Sequence, residues 1–295
     1  MKRLLKDALA RRGMSLLLLL PGLLVLLVVL GLFLKSKAIL GVQPLSRLLF
    51  GASWHPLRGE FGLFPFISGT VWVTVTALVL AVPVSILTAI YLSEFAPRVI
   101  RESARPMIDL LAGLPSVVFG VWGVILVVPF VGGVLAPLFG VSSSGYTVLA
   151  GGIVLAIMIF PTIIHISLEV FASIPLSLRE ASLALGATRW ETARHVVLRK
   201  GSQGILAASV LGFSRAFGET MAVLMVAGNV PIVPKSLFDP GYPLPALIAN
   251  NYGEMMSIPR YDSALMLAAF VLLAVVLFFN ILARQILVRV ERRSR

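Results

Sequence analysis

Cysteine is absent from the 295 residues of this chain, which excludes disulfide bonds, thiolate nucleophiles and zinc–thiolate sites. Charged residues are scarce at 13%, against about 25% in a typical soluble domain. The chain also has no G-x-x-x-x-G-K-[ST] loop, so it lacks that kind of nucleotide site. Hydrophobic residues make up 58% of the chain instead, and they gather into long runs. This composition is typical of a polytopic membrane protein.

Six apolar runs of about 20 residues are long enough to cross a bilayer as helices. We therefore predict an all-α fold with six transmembrane helices. The first run is longer than the ~7–15 apolar residues of a signal peptide, so it is expected to remain as a span. The runs cover residues 14–34, 69–92, 110–130, 146–168, 204–228 and 263–282.

Basic residues are distributed unevenly among the gaps that separate these runs. Eighteen of the 25 Lys and Arg residues lie in the N-terminal tail, the second and fourth gaps and the C-terminal tail. Six lie in the other gaps, and one, Arg215, lies within a run. By the positive-inside rule, this excess places both termini in the cytoplasm. This distribution also explains the net charge of +12 for a protein that is surrounded by membrane lipid, without any bound nucleic acid.

Runs and gaps together divide the chain into three regions. Residues 1–68 form an N-terminal tail, the first transmembrane helix and an exterior loop, whose aromatic residues predict an interfacial belt. Residues 69–288 form a core domain of five transmembrane helices, with a cytoplasmic segment at 175–200. Residues 289–295 form a basic cytoplasmic tail. In the second long exterior loop, a short helix is expected along the membrane surface within 246–256.

The cytoplasmic segment carries two helix-start signals with a turn between them. Ser177 precedes Glu180 by three residues, and Thr188 precedes Glu191 by three, so each pair predicts a capping box. Gly186 lies between the pairs, where a left-handed residue ends a helix. The segment is either a helical hairpin resting on the membrane or a helical knob offered to the groove of a cytosolic partner.

The same segment, "EASLALGATRWETARHVVL", resembles the EAA motif of ABC importer permeases. Glu180, Ala181 and Gly186 match that motif, as do Val196 and Leu198. The sequence departs from it with Ser182 at the third position and with Arg199 where proline is usual, so the chain is expected to leave the second helix differently. The resemblance implies a type I ABC importer permease fold and a coupling helix that seats in an ATPase subunit. Glu180 would then both cap its own helix and contact the ATPase.

A second signal is the stretch "FSRAFGETMAV" at 213–223, which places two charges inside an apolar run. A central charge in a spanning helix costs about 2.5–3.5 kcal/mol on insertion scales. Arg215 and Glu219 are four residues apart, so on a continuous helix they share a face and can neutralise each other. The pair is either a salt bridge that joins helices or part of a polar path.

A polar path of this kind suits an anion, because the guanidinium fork matches a tetrahedral oxyanion. Glu219 would accept a hydrogen bond from a protonated oxyanion, which favours phosphate over sulfate. The Thr220 hydroxyl would line the path, or would bond to the carbonyl four residues earlier.

The segments "GFSRAFGETMAV", "LAGLPSVVFGVWG" and "MIFPTIIHISLEVF" resemble those of PstC-type phosphate permeases, and Met221 favours that type over its PstA-type sister. The resemblance implies an inner-membrane phosphate transport subunit with Arg215 and Glu219 in the path, and no catalysis, cofactor or metal of its own. It also implies three partners: a PstA-type second permease, two copies of an ATP-binding subunit, and an exterior phosphate-binding protein.

Two alternatives remain. One is a permease for another oxyanion, such as molybdate or sulfate. The other is an intramembrane enzyme that acts on lipid with Glu219 as a base. The spans contain no second acid, histidine or metal-binding set converging with Glu219, which weighs against the enzyme.

Overall fold

The structure is a computed structural model that describes residues 2–254, 257–258 and 260–294. It is almost entirely helical, with a single two-stranded antiparallel pair in the part of the chain described. Among the described residues, five helices are long and apolar enough to cross a membrane. They are Leu19–Leu40, Phe64–Phe95, Ser116–Leu138, Val148–Ala172 and Tyr261–Ile286.

The helices follow one another with short connections, apart from the loop after residue 226. Short π-helical turns extend α3 through Phe95, join α5 to α6 and α6 to α7, and join α10 to α11. The helices are α1 Lys2–Leu40, α2 Leu45–Phe50, α3 Phe64–Ile90, α4 Arg98–Gly113, α5 Ser116–Trp122, α6 Val128–Phe130, α7 Ala136–Leu138, α8 Val148–Ala172, α9 Leu176–Ala184, α10 Arg189–Glu191, α11 Leu198–Phe217, α12 Met221–Val226, α13 Leu244–Asn251 and α14 Tyr261–Ser294, and the strands are β1 Trp54–His55 and β2 Glu60–Phe61.

Two of the six predicted spans run across a break between helices in the structure, and the other four differ from it only at their ends. The run at 204–228 is a broken helix, because α11 ends at Phe217 and α12 begins only at Met221. The run at 110–130 is displaced, because residues up to Gly113 belong to the exposed helix α4 and the spanning helix begins at Ser116. Pro115 explains the displacement, since a proline disfavours helical geometry at the residue before it.

The predicted region boundaries at 68/69 and 288/289 fall inside α3 and α14, and neither helix is interrupted there. Arg295, at the end of the predicted basic tail, lies outside the described residues.

Small residues bring the core helices close together, as the run "GILAASVLG" predicts. Gly204, Ala207, Ala208 and Gly212 of α11 are all buried. A Cβ at Gly204 would lie 2.5 Å from a methyl of Val170 on α8, so only glycine permits this approach. α11 therefore packs tightly along α8, which in turn packs along α3.

The aromatic residues of the first long loop form a buried cluster and not the predicted belt. The rings of Trp54 and Phe66 lie 5.0 Å apart, and that of Phe66 lies 5.1 Å from Tyr242. The short helix predicted within 246–256 exists as α13, but Leu244 and Leu247 bury it against the same cluster. The two long loops therefore pack against each other.

Candidate functional site

The three residues predicted to line a path lie at the break between α11 and α12. Arg215 is in the last turn of α11, where the negative end of the helix dipole favours a cation. Gly218 caps that helix, and Glu219 and Thr220 lie in the gap before α12. Arg215 is exposed in the isolated chain, and Glu219 and Thr220 are half-buried. The break therefore carries the only two charges of the run at 204–228, with Arg215 exposed and Glu219 half-buried.

Arg215 is held by a neighbouring helix. Its Nη1 donates a hydrogen bond of 2.7 Å to Oγ1 of Thr162 on α8. Thr162 follows Pro161 inside α8, and sequence reasoning did not single it out. Its only signal was a polar residue beside a proline in the quoted segment "MIFPTIIHISLEVF". A neutral hydroxyl orients the guanidinium but leaves its charge uncompensated.

Glu219 does not neutralise Arg215. Among the described residues no ion pair joins these two side chains, and Oε1 of Glu219 instead accepts from the backbone N–H of Ala222 at 3.3 Å. The predicted pairing was wrong because it required a continuous helix from 215 to 219, and α11 ends at Phe217. Thr220 likewise donates to the carbonyl of Gly218 at 3.4 Å, not to the carbonyl four residues earlier.

Close packing fixes the position of the Arg215 turn. A Cβ at Gly212 would lie 2.9 Å from two side-chain carbons of Ile163, so glycine lets α11 touch α8 beside Thr162. On another side of α11, the ring of Phe213 lies 4.0 Å from that of Phe279 on α14. α11 is thus braced by two helices one turn before Arg215.

The second candidate site is the segment at 175–200 that is predicted to couple to an ATPase, called the coupling segment below, in which α9 is followed by a sharp turn and α10. Gly186 has a φ of +86°, which confirms the predicted left-handed terminator. The N–H of Ala187 donates to the carbonyl of Ser182, and that of Gly186 to the carbonyl of Leu183. These two bonds form a Schellman motif, which ends α9 and reverses the chain.

Of the two predicted capping boxes, only the second is present. Thr188 and Glu191 exchange hydrogen bonds in both directions at the start of α10. The two Thr188 donors, the backbone N–H first, lower the pKa of Glu191 below its ordinary value of 4.5. The box predicted for Ser177 and Glu180 is wrong, because α9 begins at Leu176 with Pro175 as its N-cap, two residues before Ser177, and no side chain caps it.

Without that cap, Glu180 makes no hydrogen bond or ion pair with any described residue, and it is exposed together with Ala181 and Gly186. Apolar side chains beside them are exposed as well: Leu185 is 89% and Trp190 50% accessible. A helix tip that presents leucine, tryptophan and an unpaired carboxylate is suited to a partner's groove.

The two departures from the EAA motif have structural explanations. The hydroxyl of Ser182 lies 2.9 Å from that of Thr192, so it joins α9 to the turn after α10, which alanine cannot do. At Arg199 the chain remains helical, because the π-helical turn of residues Thr192–Val197 leads directly into α11.

One of the histidines lies beside two carboxylates. His165 lies between two carboxylates, with its Nε2 3.3 Å from Glu169 and its Nδ1 3.9 Å from Asp109. All three side chains are more than half exposed. Within the described part of the chain, no group of three or more His, Asp or Glu side chains is arranged to hold a metal ion.

Comparison with known proteins assigns a family to this architecture. The model of the "Binding-protein-dependent transport system inner membrane component" family matches residues 81–295. The chain belongs to this family. It is therefore a membrane permease, a transport subunit with several apolar spans. The matched region contains both the Arg215 site and the coupling segment.

Relatives of this permease extend the likeness over most of its length. A probable ABC transporter permease protein of Bacillus subtilis, YqgH, is 40% identical over 85% of this chain and 80% of its own. The phosphate transport system permease protein PstC of Xylella fastidiosa is 38% identical over 83% and 79%. PstC 2 of Mycobacterium tuberculosis is 41% identical over 77% and 74%.

Solved structures support the fold of the permease. An inward-facing form of the MetNI methionine ABC transporter superposes with a TM-score of 0.54. At 19% identity, over 77% of this chain and 94% of the other, that likeness shows a shared fold alone. The predicted type I ABC importer permease fold is confirmed.

Proposed function

We propose that this permease passes inorganic phosphate across the inner membrane as one subunit of an ATP-driven importer. Several of its relatives are named phosphate transport permeases, and they match most of the chain. The observation that carries the proposal is the state of Arg215. Its guanidinium lies exposed at a break in an apolar helix, and its one hydrogen bond within the described chain goes to a neutral hydroxyl. A cation left uncompensated among spanning helices marks an ion path.

Phosphate suits the two charges better than an anion with no proton. The guanidinium can donate two parallel N–H bonds to two oxygens of a tetrahedral anion. Glu219 is not committed to Arg215, so its carboxylate is free to accept a hydrogen bond from a P–OH group. Sulfate carries no such proton near neutral pH, and it would meet the carboxylate as a like charge. The Thr220 hydroxyl lies in the same gap and completes the polar lining.

The other functions of the importer belong to partner subunits. ATP hydrolysis takes place on two copies of an ATP-binding subunit, and the exposed tip of α9, with Glu180, Ala181 and Gly186, seats in one of them. A PstA-type second permease covers the exposed face that carries Arg215, and an exterior binding protein delivers phosphate. Both termini lie in the cytoplasm, as the distribution of basic residues indicates. The Arg215 site opens alternately to the two sides of the membrane, and the anion crosses in this way.

Reconstitution of the whole importer in liposomes tests this proposal. Arg215→Ala should abolish phosphate uptake, whereas Arg47→Ala, which removes an exposed arginine of α2, should leave it unchanged. Arsenate, also a protonated oxyanion, should compete with phosphate in the wild type, and sulfate should not. Normal uptake by Arg215→Ala and Glu219→Gln would refute the proposed path, and preferential uptake of sulfate or molybdate would refute the substrate.

A further inference from the structure

A largely buried ion pair connects the coupling helix to the end of α3. Nη2 of Arg179, on α9, lies 3.1 Å from Oε1 of Glu94, in the π-helical turn that extends α3. The two side chains are only 16% and 12% exposed. The Arg98–Glu102 pair on α4 is 89% and 63% exposed. The Arg179–Glu94 pair is therefore shielded from the solvent that weakens a surface ion pair.

Arg179 joins α9 to a second helix as well. Its Nη1 donates to the carbonyl of Ile174 at 2.7 Å, and its Nη2 to the carbonyl of Phe171 at 2.8 Å. Phe171 lies in the last turn of α8, where a cation is favoured by the helix dipole, and Ile174 lies just after that helix. One guanidinium thus ties α9 to the ends of both α3 and α8.

The position of Glu94, at the α3 end of this link, is fixed by further hydrogen bonds. Ser93 donates its hydroxyl to Oε1 of Glu94 at 2.8 Å. Arg101 of α4 donates to the carbonyls of Leu92 and Ser93 at 2.9 and 2.8 Å. Because Arg101 of α4 holds the turn that carries Glu94, and that turn continues α3, a displacement of Arg179 would be passed to α3.

The neighbouring residue on α9 points to a use for this rigidity. Glu180 follows Arg179 directly, and its exposed side chain has no partner among the described residues, so one side of α9 faces outward while Arg179 faces the bundle. A buried ion pair is a poor source of stability, because its desolvation offsets most of its attraction. Its value here is geometric: it defines how α9 moves with the helices that carry the Arg215 site.

We propose that Arg179 and Glu94 are positioning residues that transmit the movement of α9 to α3 and α8, and so couple ATP hydrolysis to transport. The proposal rests on the proposed function, in which α9 seats in the ATPase. If this link is lost, the assembled importer should still hydrolyse ATP but should transport less phosphate per ATP.

The test measures phosphate taken up per ATP hydrolysed by the reconstituted importer. Arg179→Met and Glu94→Gln should each lower that ratio by about 5- to 150-fold, the usual range for coupling between distant sites. The double variant should be no worse than Arg179→Met alone, because that substitution already removes the ion pair with Glu94. Arg98→Met, which breaks the exposed pair on α4, should not change the ratio.

Cysteine cross-linking provides an independent measurement, since the chain has no native cysteine. The Glu94→Cys/Arg179→Cys variant should be uncoupled when reduced, and a short bifunctional thiol reagent that joins the two positions should restore coupling. The proposal is overturned if Arg179→Met keeps the ratio of the Arg98→Met control, or if the cross-link restores nothing. Failure of the wild-type chain to assemble with an ATPase, or to take up phosphate, would instead refute the proposed function.

Discussion

Alanine at position 212 would disturb the Arg215 site without altering any group that is proposed to meet the substrate. A Cβ added to Gly212 would lie 2.9 Å from two side-chain carbons of Ile163, the residue that follows Thr162. Carbon atoms that are not bonded to each other prefer about 3.5–4.0 Å. α11 and α8 must therefore separate, or Ile163 must leave its position.

The expected magnitude follows from this overlap. Overpacking of a well-packed core costs about 1–3 kcal/mol. A helix separation of about 1 Å would also carry the 2.7 Å bond between Arg215 and Thr162 beyond hydrogen-bonding distance. If the helices must close again for each transport event, a cost of this size lowers the uptake rate by about 5- to 150-fold.

The assay is phosphate uptake by the reconstituted importer, together with the melting temperature of the detergent-solubilised chain. Gly31→Ala, where the added Cβ meets no other atom, is the matched control and should keep wild-type uptake. Ile163→Ala removes both contacting carbons, so the Gly212→Ala/Ile163→Ala variant should recover part of the loss. Wild-type uptake by Gly212→Ala would refute the claim that close helix packing positions Arg215.

Three further predictions concern single side chains. Thr162→Val should reduce phosphate uptake by about 10- to 150-fold, since a hydrogen bond to a charged group contributes about 1.5–3 kcal/mol, whereas Thr162→Ser should retain it; equal rates for both would exclude the bond from the path. Gly186→Ala should cost about 1–2 kcal/mol at its left-handed φ and reduce co-purification with the ATPase, and Gly186→Asn should be milder; unchanged assembly of Gly186→Ala would contradict this. Thr188→Ala should lower the melting temperature most near neutral pH. The lowered pKa of Glu191 stabilises the fold at pH values above the ordinary carboxyl pKa, and this contribution is lost as the pH falls through the pKa of the folded state. A difference in melting temperature that does not depend on pH would disprove the role of the carboxylate.

Features that depend on neighbouring residues could be predicted from the sequence. Gly186 as a helix terminator, the box of Thr188 and Glu191, and the small face of α11 each need only a local spacing, and each is present. The displaced third span was also open to prediction, because Pro115 marks the end of α4.

Features that depend on distant contacts could not be predicted. The bond from Arg215 to Thr162 joins residues 53 apart, and that from Arg179 to Glu94 joins residues 85 apart. The break after Phe217 had a single local signal, Gly218, and glycines are also common inside spanning helices. For that reason the expected pairing of Arg215 with Glu219 was wrong, although both residues lie at the break between α11 and α12.

The most direct test of the phosphate path is a structure of the complete importer, arrested by an ATPase variant that binds but does not hydrolyse ATP, with phosphate present. The account predicts phosphate between the paired permease subunits, with Arg215 donating to its oxygens and Glu219 on the same cavity. Arg215 sealed in dry packing against the second subunit, with phosphate crossing elsewhere, would contradict it.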